Sequence, residues 1–193
     1  MVITVMTNLV KNSQIVAFFY QKKYPLRRVI IPSFFFYLCS TKNLFGEKMI
    51  EIYEVTTASA KLTEAFERLL PQLSQSAQIP SNQYVEQLLE GDNTHLFVAE
   101  SEGEIVGMLS LVVVDIPTGR KAWIEDVVVD EKARGLRIGH ALVEKAKEEA
   151  VLLGAQKIYL TSNPSRVAAH RLYKSCGFEQ YDTAVFKMNF VTK

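Results

Sequence analysis

A short turn that carries basic residues and glycines separates an apolar run from a long helical pattern. It reads Arg134-Gly135-Leu136-Arg137-Ile138-Gly139. The first backbone N–H groups of a helix have no acceptor within the helix, and the helix dipole adds positive charge there, so an anion such as phosphate is stabilised. The arginines add full charges, and the glycines omit the Cβ atoms that would keep a ligand from the backbone. The turn predicts an anion site; an ordinary strand–turn–helix with surface arginines is the alternative.

Two adjacent carboxylates, Glu125 and Asp126, lie in the apolar run before this turn. Adjacent residues of a strand point to opposite faces of the sheet. The alternation predicts that Trp123, Glu125 and Val127 share one face. Ile124 and Asp126 would then share the other face. Because only one carboxylate can face a given cleft, the two are not expected to act together as a pair.

The elements that must position these groups are those of an α/β protein. Alternating and β-branched runs predict strands over 50–55, 95–100, 105–114, 121–130, 157–162, 178–181 and 185–190. Apolar residues at helical spacing predict helices over 59–70, 80–89, 137–153 and 165–175. Pro71 is predicted to end the first helix, residues 101–104 and 115–120 to form hairpin turns, and residues 72–79 to form a loop. We therefore expect a mixed sheet with helices on both faces.

Composition limits the class of protein. The chain has 193 residues, enough for one domain with its own core, and a formal net charge of +1. That charge argues against a nucleic-acid coat or a polybasic membrane binder. The two cysteines, Cys39 and Cys176, form no metal motif or disulfide framework, and no metal is expected. Cys176 is interpreted as a buried thiol rather than a nucleophile.

Charge also divides the chain into two unlike segments. Residues 1–48 hold seven basic residues and one acidic residue, a net charge of +6, whereas residues 49–193 hold fifteen basic and twenty acidic residues. The apolar run 29–39 contains Pro32 and is too short to span a bilayer as a helix. We interpret residues 1–48 as an N-terminal extension of unknown role, consistent with an over-long gene model, and residues 49–193 as the functional domain. A transit peptide is the alternative for residues 1–48.

The turn and a second stretch together resemble a known family. The loop is similar to motif A of the GCN5-related N-acetyltransferases (GNAT), whose pattern is Gln/Arg-x-x-Gly-x-Gly/Ala, although Arg137 stands where the first patterned glycine is expected. The run 162–178, SNPSRVAAHRLYKSCGF, resembles motif B of the same family. The resemblance covers roughly residues 50–190. It implies an α/β fold in which two parallel strands, 121–130 and 157–162, splay apart around the cofactor's pantetheine arm.

The resemblance also implies roles for individual residues. It implies that acetyl-CoA is the co-substrate and that the loop holds its pyrophosphate. It implies further cofactor contacts from the strand and from motif B, namely Val127, Val128, Val129, Asn163 and Arg166. A strand glutamate often serves as the base in this family, so Glu125 is the candidate general base; pairing with Lys121 is the alternative role, and Asp126 is the second candidate. Tyr173 resembles the motif B tyrosine that protonates the leaving thiolate, with a packed aromatic as the alternative.

These residues predict an enzyme, an N-acetyltransferase that transfers an acetyl group to a primary amine by direct attack in a ternary complex. Regions 72–79 and 115–120 would meet an acceptor, most simply a small molecule, and Arg120 and Lys121 could meet a phosphate on it. A protein or peptide amine is an alternative acceptor. A non-catalytic acyl-CoA-binding regulatory module is an alternative function. We expect a cytoplasmic location and an amine-bearing acceptor, without nucleic acid or membrane as partners, and leave a homodimer open.

Overall fold

The computed structural model describes residues 49–190, so the expectations for residues 1–48 lie outside the described part of the chain. The strands are β1 (Ile50–Val55), β2 (Thr94–Ser101), β3 (Glu104–Ile116), β4 (Gly119–Val129) and β5 (Lys157–Leu160). The helices are α1 (Ala60–Leu73), α2 (Asn82–Glu90), α3 (Ile138–Leu152) and α4 (Val167–Ser175), and a 3₁₀ turn covers Glu131–Ala133. The predicted α/β class is confirmed.

One mixed sheet of five strands, in the order β1-β2-β3-β4-β5, organises the described residues. The first four strands pair antiparallel with their neighbours, and β5 pairs parallel to β4. The parallel pairing runs only from Lys121 opposite Lys157 to Ile124 opposite Leu160. Because β4 continues to Val129, its last residues have no strand partner on the β5 side within residues 49–190. This is the splayed parallel pair that the sequence predicted.

Each face of the sheet is covered by helices. The face that carries Leu96 and Val98 packs against α1 and α2, and the opposite face, which carries Phe97 and Ala99, packs against α3 and α4. Alternate residues of β2 thus enter different cores, as the period of two in a strand requires. Burial of the apolar face of α1 confirms the helical spacing read from the sequence: the buried residues are Leu62, Ala65, Phe66 and Leu69.

Capping side chains begin two of the helices. Ser59 Oγ accepts a hydrogen bond from the Leu62 N–H, and Ser81 Oγ accepts one from the Tyr84 N–H. The prediction that Pro71 ends α1 is wrong, since the helix continues to Leu73. A proline inside a helix removes one N–H donor, which here leaves the carbonyl of Glu67 without its intrahelical partner, and Glu67 lies at an exposed position of the helix.

Two other predictions are corrected by the pairing of the strands. Within residues 115–120 the turn is confined to 117 and 118, because Asp115 pairs with Arg120 and Ile116 pairs with Gly119 in the ladder. Residues 178–190 do not form the two predicted strands. Alternating apolar residues make a strand only where the backbone finds a ladder partner, and here Phe186 and Phe190 are 93% and 84% exposed.

Among residues 49–190, no helix combines the length and the apolar character that crossing a bilayer requires.

Candidate active site

A β-bulge in β4 sets the orientation of the candidate catalytic strand. The register between β3 and β4 shifts so that Ser110 pairs with Glu125 and Met108 pairs with Val128. Asp126 lies in the bulge with a φ of 53°, in the left-handed region that an Asp tolerates better than most residues. The bulge reverses which face the following side chains occupy.

The predicted alternation along β4 therefore fails after Glu125. Ile124 belongs to the core on the α3 side, whereas Val128 belongs to the core on the α1 side, and Val127 packs toward α3. Val127 thus does not share a face with Trp123 and Glu125, contrary to the prediction. The extra residue of the bulge is the physical reason, because a one-residue insertion exchanges the faces of a strand.

The predicted anion loop lies at the N-terminus of α3. Arg137, which occupies the position of the first patterned glycine, is the N-cap of α3 and has a φ of 59°. The family's preference for glycine there has a physical explanation, since glycine enters the left-handed region without a steric penalty. Ile138 is buried, so only its backbone can meet a ligand, and Leu136 is exposed.

An open cleft of about 280 Å³ lies between β4, α4 and the end of α1. Seven predicted site residues line it: Val127, Val128, Val129, Arg134, Gly139, Arg166 and Tyr173. Its other lining residues are Gln72, Leu73, Ala168, Ala169 and Leu172. The cleft thus combines two guanidinium groups with an apolar wall. A Cβ added at Gly139 would lie 3.1 Å from Leu172 Cδ2, so this glycine lets α3 and α4 approach closely.

The remaining predicted site residues do not line this cleft. They are Glu125, Gly135, Leu136, Arg137, Ile138 and Asn163. Asn163 Oδ1 accepts hydrogen bonds from the N–H and Oγ of Ser165, at 2.9 and 2.8 Å. Its side-chain oxygen therefore shapes the turn before α4, a local structural role that the sequence did not anticipate.

The charge of one candidate proton-transfer residue, Glu125, affects the pKa of the other, Tyr173. Burial raises the pKa of Tyr173; the nearby Arg166 lowers it, and the charge of Glu125 raises it further. Desolvation raises the pKa of the Glu125 carboxyl, and the charge of Asp126 adds to that shift. No ion pair joins Glu125 to Lys121 in the described part of the chain. A carboxyl whose pKa moves toward neutrality is better suited to accept a proton near pH 7.

An ion pair that the sequence analysis missed connects α1 to the turn that follows β4. Arg68 Nε lies 2.9 Å from Asp130 Oδ2, and Arg68 Nη2 donates to the Ile105 carbonyl. Asp130 is 5% exposed and also accepts a hydrogen bond from the Lys132 N–H. Gln72 adds a second link because its Oε1 accepts from the Glu131 N–H at 2.9 Å. No local sequence signal predicts the contacts of Arg68 with Asp130 and of Gln72 with Glu131, which join residues 62 and 59 positions apart.

A third link joins α1 to α4 across the cleft. Arg166 Nη2 donates to the Leu73 carbonyl at 2.6 Å. A helix leaves its last carbonyl groups without partners inside the helix, and a cation stabilises them. Arg166 therefore already has a structural partner in addition to its place in the cleft.

Cys176 behaves as the buried thiol that was predicted. It is 3% exposed, and burial raises the pKa of its thiol, with the charge of Glu144 adding to the shift. Ligand atoms of His140, Glu144 and Cys176 lie within 4.8 Å of one another. Lys147 supplies the cation of this cluster: its Nζ is 2.9 Å from Glu144 Oε1 and donates to the Cys176 carbonyl at 2.7 Å.

An open mixed sheet whose parallel pair separates beside a cationic helix N-terminus defines the class of protein. A carboxylate and a phenol lie near the point where the two parallel strands separate. This is the architecture of acyltransferases that use an acyl-coenzyme A. The sequence comparison then identifies the family directly. Residues 60–178 match the model of the acetyltransferase (GNAT) family, and the chain belongs to that family. Acetyltransferases of this family use acetyl-CoA as co-substrate.

Individual relatives agree with this assignment. An aminoalkylphosphonate N-acetyltransferase of Salmonella typhimurium is 37% identical over 91 residues, 46% of this chain and 58% of that protein. N-acetyltransferase 8B of Homo sapiens is 30% identical over 132 residues, 61% of this chain and 58% of that protein. The matches thus span less than two thirds of these relatives.

A solved structure shows the same fold. It is an aminoglycoside acetyltransferase from an uncultured soil metagenomic sample, with a TM-score of 0.66 and 20% identity. The match covers 74% of this chain and 97% of that chain. At this identity the likeness establishes the fold and does not define an acceptor.

Proposed function

We propose that this chain is an acetyl-CoA-dependent N-acetyltransferase that acetylates a primary amine of a small molecule by direct attack in a ternary complex. The observation that carries the proposal is the cleft itself, because residues of the loop (Arg134 and Gly139), the free edge of β4 (Val127–Val129) and Tyr173 all line it. A phenol in the cleft wall and a carboxylate beside the cleft can serve two proton transfers in opposite directions.

The described residues fit the co-substrate that the family implies. The cleft offers Arg134 and Arg166 for phosphate groups and an apolar wall for an extended arm. The first N–H groups of α3, after Arg137, add backbone donors. Residues Val127–Val129 lack a β5 partner, so their backbone on that edge is free to pair with an amide-bearing ligand. Acetyl-CoA bound there supplies the acetyl group as an activated thioester.

Each protein group then has a defined task. An alkyl ammonium has a pKa of about 10.4 and must lose a proton before it can attack. Glu125, whose pKa is raised by desolvation, accepts that proton at its carboxylate, directly or through a water. Tyr173 keeps its hydroxyl proton because burial raises its pKa, and it donates that proton to the departing sulfur. Asp126, in the left-handed bulge position, is assigned no proton transfer.

A small-molecule acceptor is supported by the nature of the relatives. The Salmonella typhimurium relative is named for an aminoalkylphosphonate, a small amine. The acceptor would lie on the α1 side of β4, where Glu125 pairs in register with Ser110. Arg120 is a poor candidate for a phosphate contact, since it donates to Asp115 and to the Leu153 carbonyl.

The test is CoA thiol release by the full chain with acetyl-CoA and a panel of amines, together with a titration of acetyl-CoA binding. The panel contains aminoalkylphosphonates, polyamines, amino acids, an aminoglycoside and a lysine peptide. Glu125→Gln is compared with Asp126→Asn, a matched loss of charge at the neighbouring residue. We expect release with at least one amine, reduced about 10²- to 10⁴-fold in Glu125→Gln and far less in Asp126→Asn.

Other outcomes decide between the alternatives. Binding of acetyl-CoA without release with any amine would favour the acyl-CoA-binding module. Release with the lysine peptide alone would favour a protein or peptide acceptor. Failure to bind acetyl-CoA would contradict the assignment of the loop around Arg137.

A further inference from the structure

Three aromatic rings lie in a row on the sheet face that Glu125 occupies. Trp123 and Tyr159 are register partners in β4 and β5, and their rings stack at 4.7 Å between centroids with an interplanar angle of 26°. Tyr181 meets Tyr159 edge-on at 6.3 Å and is 71% exposed. Trp123 lies two residues before Glu125 and before the bulge, so both side chains project to the α1 side of the sheet. The rings form an apolar platform next to the candidate base.

Two lysines lie in the next row of the same face. Lys121 and Lys157 are register partners one row beyond Trp123 and Tyr159, so all four side chains project to the same side. Neither lysine is in an ion pair within residues 49–190. Two like charges directly opposite each other destabilise a strand pair unless an anion lies between them.

The neighbouring arginine differs from this pair. Arg120 is held by Asp115, with Nε 2.8 Å from Oδ1 and Nη2 2.6 Å from Oδ2, and its Nη1 donates to the Leu153 carbonyl. The charge of Arg120 is thus balanced by Asp115 and by the Leu153 carbonyl within the protein. Lys121 and Lys157 are the two cations of this sheet row that keep their charge available for a ligand.

The spacing of these groups defines the dimensions of a ligand. From Glu125 to Lys121 is four residues of strand, about 13 Å between Cα atoms at roughly 3.3 Å per residue. Flexible lysine side chains can shorten that distance by several Å. A ligand whose amine lies at Glu125 and whose body covers the Trp123 ring would place its far end near the lysine pair.

We infer that the acceptor is an elongated amine with an apolar or aromatic body and an anionic group at its far end, a carboxylate, phosphate or phosphonate. Trp123 and Tyr159 hold the body, and Lys121 and Lys157 hold the anion. A polyamine would place a second cation against the two lysines, which is unfavourable. This inference rests on the proposed function and specifies its substrate class.

The first test uses three amines that differ only at the far end. They are 4-(2-aminoethyl)benzoate with an anion, 2-phenylethylamine with none, and 4-(aminomethyl)phenethylamine with a second cation. We expect the full chain to prefer the carboxylate over the neutral amine by about tenfold to a hundredfold in kcat/KM, the range for one charged hydrogen bond. Lys157→Glu should lower that ratio by at least tenfold, and Lys174→Glu, an exposed charge reversal in α4, should leave the ratio unchanged.

The second test does not depend on turnover. Trp123 is the single tryptophan of the chain, so intrinsic fluorescence reports on the platform itself. In the presence of CoA, addition of 4-(2-aminoethyl)benzoate should change the Trp123 emission up to a saturating value. The double variant Lys121→Ala/Lys157→Ala should bind this amine at least tenfold more weakly. Lys174→Ala serves as the matched control for loss of a lysine charge.

The outcomes separate this inference from the proposed function. Equal kcat/KM for the three amines, or a preference for the diamine, would overturn the acceptor class while leaving the N-acetyltransferase activity standing. Transfer to amines of the wider panel but not to 4-(2-aminoethyl)benzoate would likewise overturn the acceptor class and leave the activity standing. Absence of transfer to every amine in both panels would overturn the proposed function, and a carboxylate that leaves Trp123 emission unchanged would then count against the subsite as well.

Discussion

Replacing Arg68 with methionine tests whether the link between α1 and the turn after β4 stabilises the fold. The substitution keeps much of the apolar stem and removes the guanidinium that lies 2.9 Å from Asp130 Oδ2. Asp130 would remain 5% exposed with the Lys132 N–H as its remaining donor from the turn. The Ile105 carbonyl would lose its Arg68 donor as well.

The size of the effect follows from burial. Removing one partner of a buried ion pair costs about 3–5 kcal/mol, because the other charge is left uncompensated. The Arg68 side chain is 36% exposed, so solvent screens part of the interaction. We therefore expect Arg68→Met to lower the free energy of unfolding by about 2–3 kcal/mol. Urea denaturation of the full chain at pH 7 measures this change.

The pH dependence gives a second, signed readout. Burial alone would raise the pKa of Asp130, but the Lys132 N–H and the Arg68 guanidinium together lower it below the usual value. A carboxyl with a lowered folded-state pKa contributes stability above its unfolded pKa of about 3.9 and loses that contribution as pH falls through the folded value. Without the Arg68 guanidinium the folded-state pKa of Asp130 rises toward or above the unfolded value, so Arg68→Met should lose less stability on acidification than the wild type.

A matched control distinguishes this pair from an ordinary surface pair. Lys61 lies 2.6 Å from Glu100 Oε1, with side-chain exposures of 39% and 22%. Lys61→Met should cost no more than about 1 kcal/mol. The stabilising role assigned to the Arg68–Asp130 pair is refuted by two results together. Arg68→Met would cost no more free energy of unfolding than Lys61→Met, and it would lose as much stability on acidification as the wild type.

Three further predictions concern the candidate site. Desolvation and the charge of Asp126 raise the pKa of Glu125, so in a pH-rate profile kcat/KM should rise with pH through a pKa above the usual Glu value. In Glu125→Gln this rise should be absent. Tyr173→Phe should lower kcat by about 10²-fold with little change in the KM for acetyl-CoA, measured by steady-state kinetics; unchanged turnover would exclude it as the acid. Arg137→Gly should raise the free energy of unfolding by about 1 kcal/mol in urea denaturation, because Arg137 has a φ of 59°; destabilisation would contradict the strain argument.

Most elements could be predicted because their signals are local. The apolar spacing of α1, the serine caps at Ser59 and Ser81, and the Glu102-Gly103 turn each depend on residues a few positions apart. The strand–turn–helix around the loop is local in the same sense. The prediction at Pro71 failed because a proline weakens the helical turn that precedes it but does not by itself end the helix, and packing of that turn against the sheet is not a local signal.

The last part of the chain could not be predicted on the same basis. Residues 178–190 have the alternation of strands but form none. A strand exists through hydrogen bonds to another strand, and a single segment carries no information about whether that partner is in reach. The bulge at Asp126 is a similar case, since it is defined by the register between β3 and β4.

The sequence by itself determined the α/β class, the family, and the identity of most candidate site residues, because types and spacings within motifs encode them. Only the tertiary structure decided that the bulge turns Val127 away from the face of Glu125. The same is true of the contacts of Arg68 and Gln72 with the turn after β4 and of the stacking of Trp123 on Tyr159. These features join segments that are distant along the chain, with 62 positions between Arg68 and Asp130. Periodicity describes which face a residue occupies within its own element, whereas contacts between elements depend on how the whole chain packs.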